Sequence, residues 1–114
     1  MLRFSASQTE MIDQVERERW FSALQRDLAA HHPDIAAPDA DALFRASRAE
    51  CERLGIVGAD AIEAFLGLSF LAGEPLSAGA GYDMMHARVM RKGHSPDVLP
   101  LALHRRVLRE MGVD

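Results

Sequence analysis

The chain is poor in the residues that build β-sheets. Aromatic residues make up 6% of its 114 residues, with one Tyr and one Trp. Strands favour aromatic and β-branched side chains, whereas the Ala, Leu, Arg and Glu that are abundant here favour helices. A chain of this length is usually one domain. We therefore expect residues 1–114 to form a single all-α domain, a bundle of about five helices around a central apolar helix.

The chain also lacks paired cysteines, long apolar runs and an excess of positive charge. Its one cysteine, Cys51, excludes an internal disulfide and a zinc site built on several thiolates. The N-terminal stretch has no signal-peptide core, and no run approaches the ~18 apolar residues of a membrane span. A net charge of −4 disfavours nucleic-acid binding, which depends on cations beside phosphates. We expect a cytoplasmic protein that binds neither membrane nor nucleic acid.

Capping and proline signals define the first two predicted helices. Ser7 and Glu10 are predicted to form a capping box before a helix from about residue 8 to 30. Its apolar residues change sides at the charged run 16–19, where the helix either bends or faces two partners. Asp39 or Asp41 is expected to cap a second helix, which ends near residue 54 and carries one clean apolar stripe.

Three further helices follow. The third, about residues 59–72, is apolar on nearly all sides, which is typical of a central bundle helix. Residues 73–81 combine Gly, Pro and Ser and are expected to be the most flexible stretch. A short helix follows over about 82–91. The last one begins after Ser95 and extends to Met111, with Pro100 delaying it or lying in its first turn.

The run AECERLGIVGAD, residues 49–60, joins the second and third helices. Cys51 falls in the last helical turn, where the partial negative charge opposes thiolate formation, and it lies on the apolar face. We expect a buried, unreactive thiol. If Gly55 adopts a left-handed conformation, the helix ends in a Schellman motif and Ile56 folds back towards Cys51.

A helix, a glycine turn and a second helix also describe a DNA-binding helix-turn-helix. A recognition helix needs basic or polar side chains near its N-terminus, whereas this one offers Asp60 and Glu63. We therefore favour an ordinary helical corner and retain a helix-turn-helix regulator as the alternative.

No pattern of catalytic or metal-binding residues appears among the five histidines. His31 and His32 are expected to complement a helix dipole, and His104 to be a buried core residue. We predict no enzyme, no cofactor and no metal. An enzyme using Cys51 or His104 is a third, less favoured class.

The C-terminal third carries the features that suit a protein partner. Met84, Met85 and Met90 either close the core or form an adaptable apolar patch beside the flexible stretch. Basic residues there form either a solvated face or a surface for an acidic protein. The predicted partner-binding residues are Tyr82, Met84, Met85, Arg88, Arg91, Arg105 and Arg109.

The order of several short motifs resembles a family of small helical bacterial proteins. The stretch LRFSASQ leads into a long helix that ends at His32-Pro33, and Leu54-Gly55-Ile56 and Ala72-Gly73 follow at the family's helix ends. Its members are often encoded beside type VI secretion spike and effector genes. The resemblance implies a non-enzymatic accessory, adaptor or immunity-type partner of a secreted effector. This chain departs from the family at Leu54, where an aromatic residue is usual, and after Gly73.

Overall fold

The computed structural model describes the backbone of residues 6–112 and the side chains of residues 14–112. Regular structure in this part is entirely helical, which confirms the all-α prediction. No helix among the described residues is long and apolar enough to cross a membrane. The elements are α1 (Ala6–His31), α2 (Ala37–Leu54), α3 (Ala59–Ala72), a 3₁₀ turn (Leu76–Ala78), α4 (Tyr82–Arg91) and α5 (Val98–Glu110).

The chain divides into two units, Met1–Pro33 and Asp34–Asp114. The first contains α1, which runs without interruption through residues 16–19. Near its C-terminal end, Nδ1 of His31 lies 2.7 Å from the Asp27 carbonyl oxygen, one turn earlier in the helix. The predicted capping box involves side chains outside the described ones. A single domain over residues 1–114 stays a prediction.

The second unit begins with α2, whose start differs from the prediction. The helix is capped by Ala36 without a side-chain hydrogen bond, and Pro38 lies in its first turn. The prediction of an aspartate N-cap was wrong because proline fits the first turn, where its missing N–H is not needed. Asp39 instead lies in the first turn, favoured by the helix dipole, and Asp41 forms an ion pair with Arg45.

The end of α2 confirms the predicted Schellman motif. Gly55 has a φ of 77°, in the left-handed region that glycine adopts without strain. Its N–H donates to the Glu52 carbonyl (3.2 Å), and the Ile56 N–H donates to the Cys51 carbonyl (2.9 Å). Both Cys51 and Ile56 are buried. The motif therefore satisfies two carbonyls at the end of α2 while it turns an apolar side chain back into the core.

Helix α3 has the predicted bounds and the predicted central position. It packs against α2, α5 and the 3₁₀ turn. Only its two acidic residues, Asp60 and Glu63, and the positions near its ends are exposed, with Gly67 half-buried. Its buried residues are Ala61, Ile62, Ala64, Phe65, Leu66, Leu68, Ser69 and Phe70.

The stretch predicted to be most flexible is tied to the helices. The buried Ser69 hydroxyl donates to the Phe65 carbonyl (2.7 Å) and accepts from the Leu76 N–H (2.9 Å). Ser77 is also buried, and its hydroxyl donates to Glu50 Oε1 on α2 (2.6 Å). Within this stretch, residues 76–78 thus form a 3₁₀ turn that these hydrogen bonds tie to α2 and α3, and its flexibility stays a prediction.

Candidate protein-binding surface

Cys51 has no role at the surface. Its side chain is 2% exposed and forms no disulfide. Burial, reinforced by the nearby carboxylates of Glu50 and Glu52, raises the pKa of the thiol to about 12. The reactive species of a cysteine is the thiolate, so this thiol is inert at neutral pH. The predicted burial of Cys51 is confirmed.

Tyr82 was wrongly assigned to the partner-binding surface. It is the first residue of α4 and is 2% exposed. Its ring lies edge-on to that of Phe65 in α3, with 6.0 Å between the ring centroids, and stacks on the His86 ring, with 6.5 Å between the centroids. The same burial raises the pKa of its hydroxyl. The aromatic ring anchors α4 to the core because burying it removes a large apolar area from water.

The methionines of α4 are exposed rather than packed in the core. Met84 is 67% exposed, Met90 47% and Met85 38%. At about 100° per residue, however, their directions around the helix differ by roughly 100° or more. The three side chains therefore do not form the single apolar patch that the sequence suggested, and each contributes to a different side of α4.

The basic residues of α4 and α5 are largely unpaired. Residues 82–112 contain six Lys or Arg against three Asp or Glu. Of these six cations, only Arg106 has an ion pair within the described part of the chain, with Glu110 at 3.4 Å. The exposed cations with no such pair are Arg88, Arg91, Lys92, Arg105 and Arg109.

Each of the two helices carries an apolar residue and unpaired arginines on one outward face. On α4, Met84, Arg88 and Arg91 point within about 60° of one another. On α5, Arg105 and Arg109 lie one turn apart and follow Val98, which is 43% exposed. Helices α4 and α5 pack against each other. Six of the seven predicted partner-binding residues are thus exposed on adjacent helices, and Tyr82 lies inside.

A contact that the sequence did not reveal holds α5 in place. The Asp97 carboxylate accepts hydrogen bonds from the N–H groups of Val57 (3.0 Å) and Gly58 (2.9 Å), beside the N-terminus of α3. A Cβ at position 58 would lie 2.6 Å from the Asp97 Oδ2. Any other residue at position 58 would require the Asp97 side chain to shift. A second glycine three residues after Gly55 was the only signal of it in the sequence.

A second polar cluster lies at the start of α4. The Arg53 Nε donates to Glu50 Oε2 (2.6 Å), and its guanidinium lies 3.8 Å from Asp83 Oδ1. Together with the Ser77 hydroxyl, Arg53 holds the pKa of Glu50 below its ordinary value. The cluster links α2, the 3₁₀ turn and α4 through partly exposed charges, so its contribution to stability is small.

The other candidate residues do not assemble into a site. His104 is exposed, so its assignment to the core was wrong: the inner face of α5 is formed by Leu99, Pro100 and half-buried residues. Within the described residues no group of three or more His, Cys, Asp or Glu is arranged to hold a metal ion. In comparisons with known proteins, no family, curated protein or solved structure matches the chain.

Proposed function

We propose that this chain works by binding another protein through the outward faces of α4 and α5, and that it has no catalytic activity of its own. The observation that carries the proposal is the coincidence of unpaired arginines with exposed apolar side chains on these two helices. Protein interfaces are enriched in Arg and Met, and exposed apolar groups rimmed by polar ones are typical of them.

The resemblance described above directs the choice of partner. We propose a secreted bacterial effector, or a spike component of the same secretion machinery, with this chain as its accessory, adaptor or immunity-type partner in the cytoplasm. The free, buried thiol of Cys51 suits a reducing compartment. No second function is proposed: α3, the helix that a helix-turn-helix would place in a DNA groove, is buried along most of its length.

The test is affinity capture from the host with charge-reversed variants. Arg88→Glu/Arg91→Glu and Arg105→Glu/Arg109→Glu each reverse two cations of the proposed surface. Arg19→Glu/Arg26→Glu reverses two exposed cations of α1 and is the matched control. We expect a captured protein to be lost from the first two variants and kept by the control, with unchanged thermal unfolding in all three. Capture that survives both surface variants, or that fails equally with the control, contradicts the proposal.

A further inference from the structure

Helix α5 has a second stripe with the spacing of a helix-packing face, on the side away from the core. On the inner side, Leu99 and Pro100 are buried and Leu103 is half-buried. On the outer side are exposed residues at positions i, i+3, i+4, i+7 and i+11, all within about 100° of the helix circumference. This is the spacing with which a helix contacts another helix. The outer stripe consists of Val98, Leu101, Ala102, Arg105 and Arg109.

The stripe is uncovered within the described part of the chain. Val98 and Leu101 are 43% and 38% exposed, although they stand at the positions where a packed helix buries its apolar residues. The stripe extends over twelve residues, from Val98 to Arg109, which is about 16 Å or three helical turns. Its first half is apolar and its second half is cationic.

The charges on the stripe define the occupant. Arg105 and Arg109 lie one turn apart and have no ion pair among the described residues. The helix dipole favours a cation at Arg109, in the last turn, but it gives no reason for Arg105 or for the exposed apolar residues before it. Two carboxylates four residues apart on a facing helix match this pair in spacing and in charge.

We propose that the outer stripe of α5 binds an acidic amphipathic helix of the partner protein, with apolar residues against Val98 and Leu101 and two carboxylates against Arg105 and Arg109. This inference rests on the proposed function and specifies the chemistry of its partner. Apolar burial supplies the affinity, and the two ion pairs set the register, as in other helix-in-groove interactions.

The probe is a stapled 15-residue helical peptide with Leu and Ala on one face, followed on that face by two Glu four residues apart. A control peptide of the same composition has one Glu moved to the opposite face. Fluorescence anisotropy measures the binding of both to the full chain. We expect the first peptide to bind about threefold to fivefold more tightly than the control, and its affinity to fall when salt is raised above about 0.5 M.

Variants of the chain test the register. We expect the variant Arg105→Glu/Arg109→Glu to bind the acidic peptide about tenfold less tightly than the wild type does. The same variant is expected to bind a version of the peptide that has Lys in place of Glu. Arg106→Glu, on the same helix but off the stripe, is the matched control and is expected to change affinity less than about threefold. Equal binding by wild type and the double variant would overturn the proposal.

Two other occupants are also distinguishable. Sedimentation that shows self-association, abolished by the same double reversal, would assign the stripe to a second copy of the chain. Displacement of the peptide by duplex DNA at lower concentration than by unlabelled peptide would assign it to nucleic acid. If capture of a host protein requires the arginines of α4 while binding of the peptide is unaffected by the α5 variants, the inference fails and the proposed function stands. If the peptide binds as expected but no host protein depends on the cations, the proposed function fails.

Discussion

Residues 34–81 and residues 82–112 belong to one unit, yet they use their charged side chains differently. The first region has eight Asp or Glu and three arginines, and all three arginines are ion-paired, to Asp41, Glu52 and Glu50. The second has six cations and leaves five of them without an ion pair in the described part. The first region also contributes most of the buried apolar residues, whereas the second exposes its methionines.

Under the proposed function, the first region is a scaffold and the second a binding surface. The three arginines of the first region have their ionic partners within α2. Unpaired arginines beside apolar groups retain their hydrogen-bonding capacity for another molecule. The comparison predicts that substitutions in the first region change stability, while substitutions in the second change binding.

The largest expected contrast is between Phe65 and Met84. Phe65→Ala removes a fully buried ring from the centre of α3 and should lower the free energy of unfolding by about 3–5 kcal/mol. Met84→Ala, on an exposed side chain, should change it by less than about 0.5 kcal/mol. Urea denaturation of both variants measures the contrast. Losses of stability of similar size would contradict the distinction between a stabilising first region and a binding second region.

The next effect concerns Asp97, which joins the two regions. Asp97→Ala removes two charge-assisted bonds to the Val57 and Gly58 amides and should cost about 1–3 kcal/mol. Gly58→Ala should cost a similar amount because of its close approach to Asp97. The double variant should lose less than the sum, since the contact is shared. Additive losses in chemical denaturation would show that the two residues act independently.

Cys51 gives a smaller effect with a defined pH dependence. Cys51→Ala should cost about 1–2 kcal/mol below pH 8, as a small core truncation. Above about pH 8.5 the unfolded chain ionises this thiol while the folded chain, with a pKa of about 12, keeps it neutral. Wild-type stability should therefore fall as the pH rises through this range, and its advantage over the variant should shrink. Rapid thiol labelling of the native protein at pH 7 would contradict the buried assignment.

Substitution of two glycines by alanine is expected to change the free energy of unfolding by about 1 kcal/mol each, in opposite directions. Gly55→Ala places a Cβ on a left-handed residue and should destabilise by about that amount. Gly67 lies inside α3, and a Cβ there meets no atom within 4 Å. Gly67→Ala should therefore stabilise by up to about 1 kcal/mol through helix propensity. Thermal unfolding of both variants measures the two effects. An unchanged stability for Gly55→Ala would show that the left-handed conformation causes no strain there.

The smallest effect is the acid sensitivity of the cluster around Glu50. Because Arg53 and Ser77 lower the pKa of Glu50, its contribution to stability is present above about pH 4.3 and is lost as the pH falls through the lowered pKa. Glu50→Gln should flatten the pH dependence of stability in this range. Glu63→Gln, on an exposed residue of α3, is the control and should leave the wild-type dependence unchanged.

The helices were predictable because each has local signals. The bounds of α3 and α4 follow from the glycines that flank each segment, and the turn at Gly55 follows from its position after the last apolar residue of α2. The start of α2 was missed because an aspartate N-cap is a statistical preference, and Pro38 permits the helix to begin earlier.

The tertiary contacts were not predictable in the same way. Asp97 and Gly58 are 39 residues apart, and no local pattern links them. His104 and Tyr82 show a related error: a helical wheel gives the directions of side chains relative to one another but does not say which direction meets the core. The candidate surface was therefore predictable in its residue types but not in which of them are exposed.

The contact between Gly58 and Asp97 also links two distant positions of the sequence. A side chain at position 58 is compatible with this packing only if residue 97 becomes shorter or moves, so the two positions are expected to change together in related chains. This covariation does not depend on what the protein binds. In an alignment of related chains, we therefore expect a glycine at the start of α3 to occur together with an aspartate 39 residues later, just before α5.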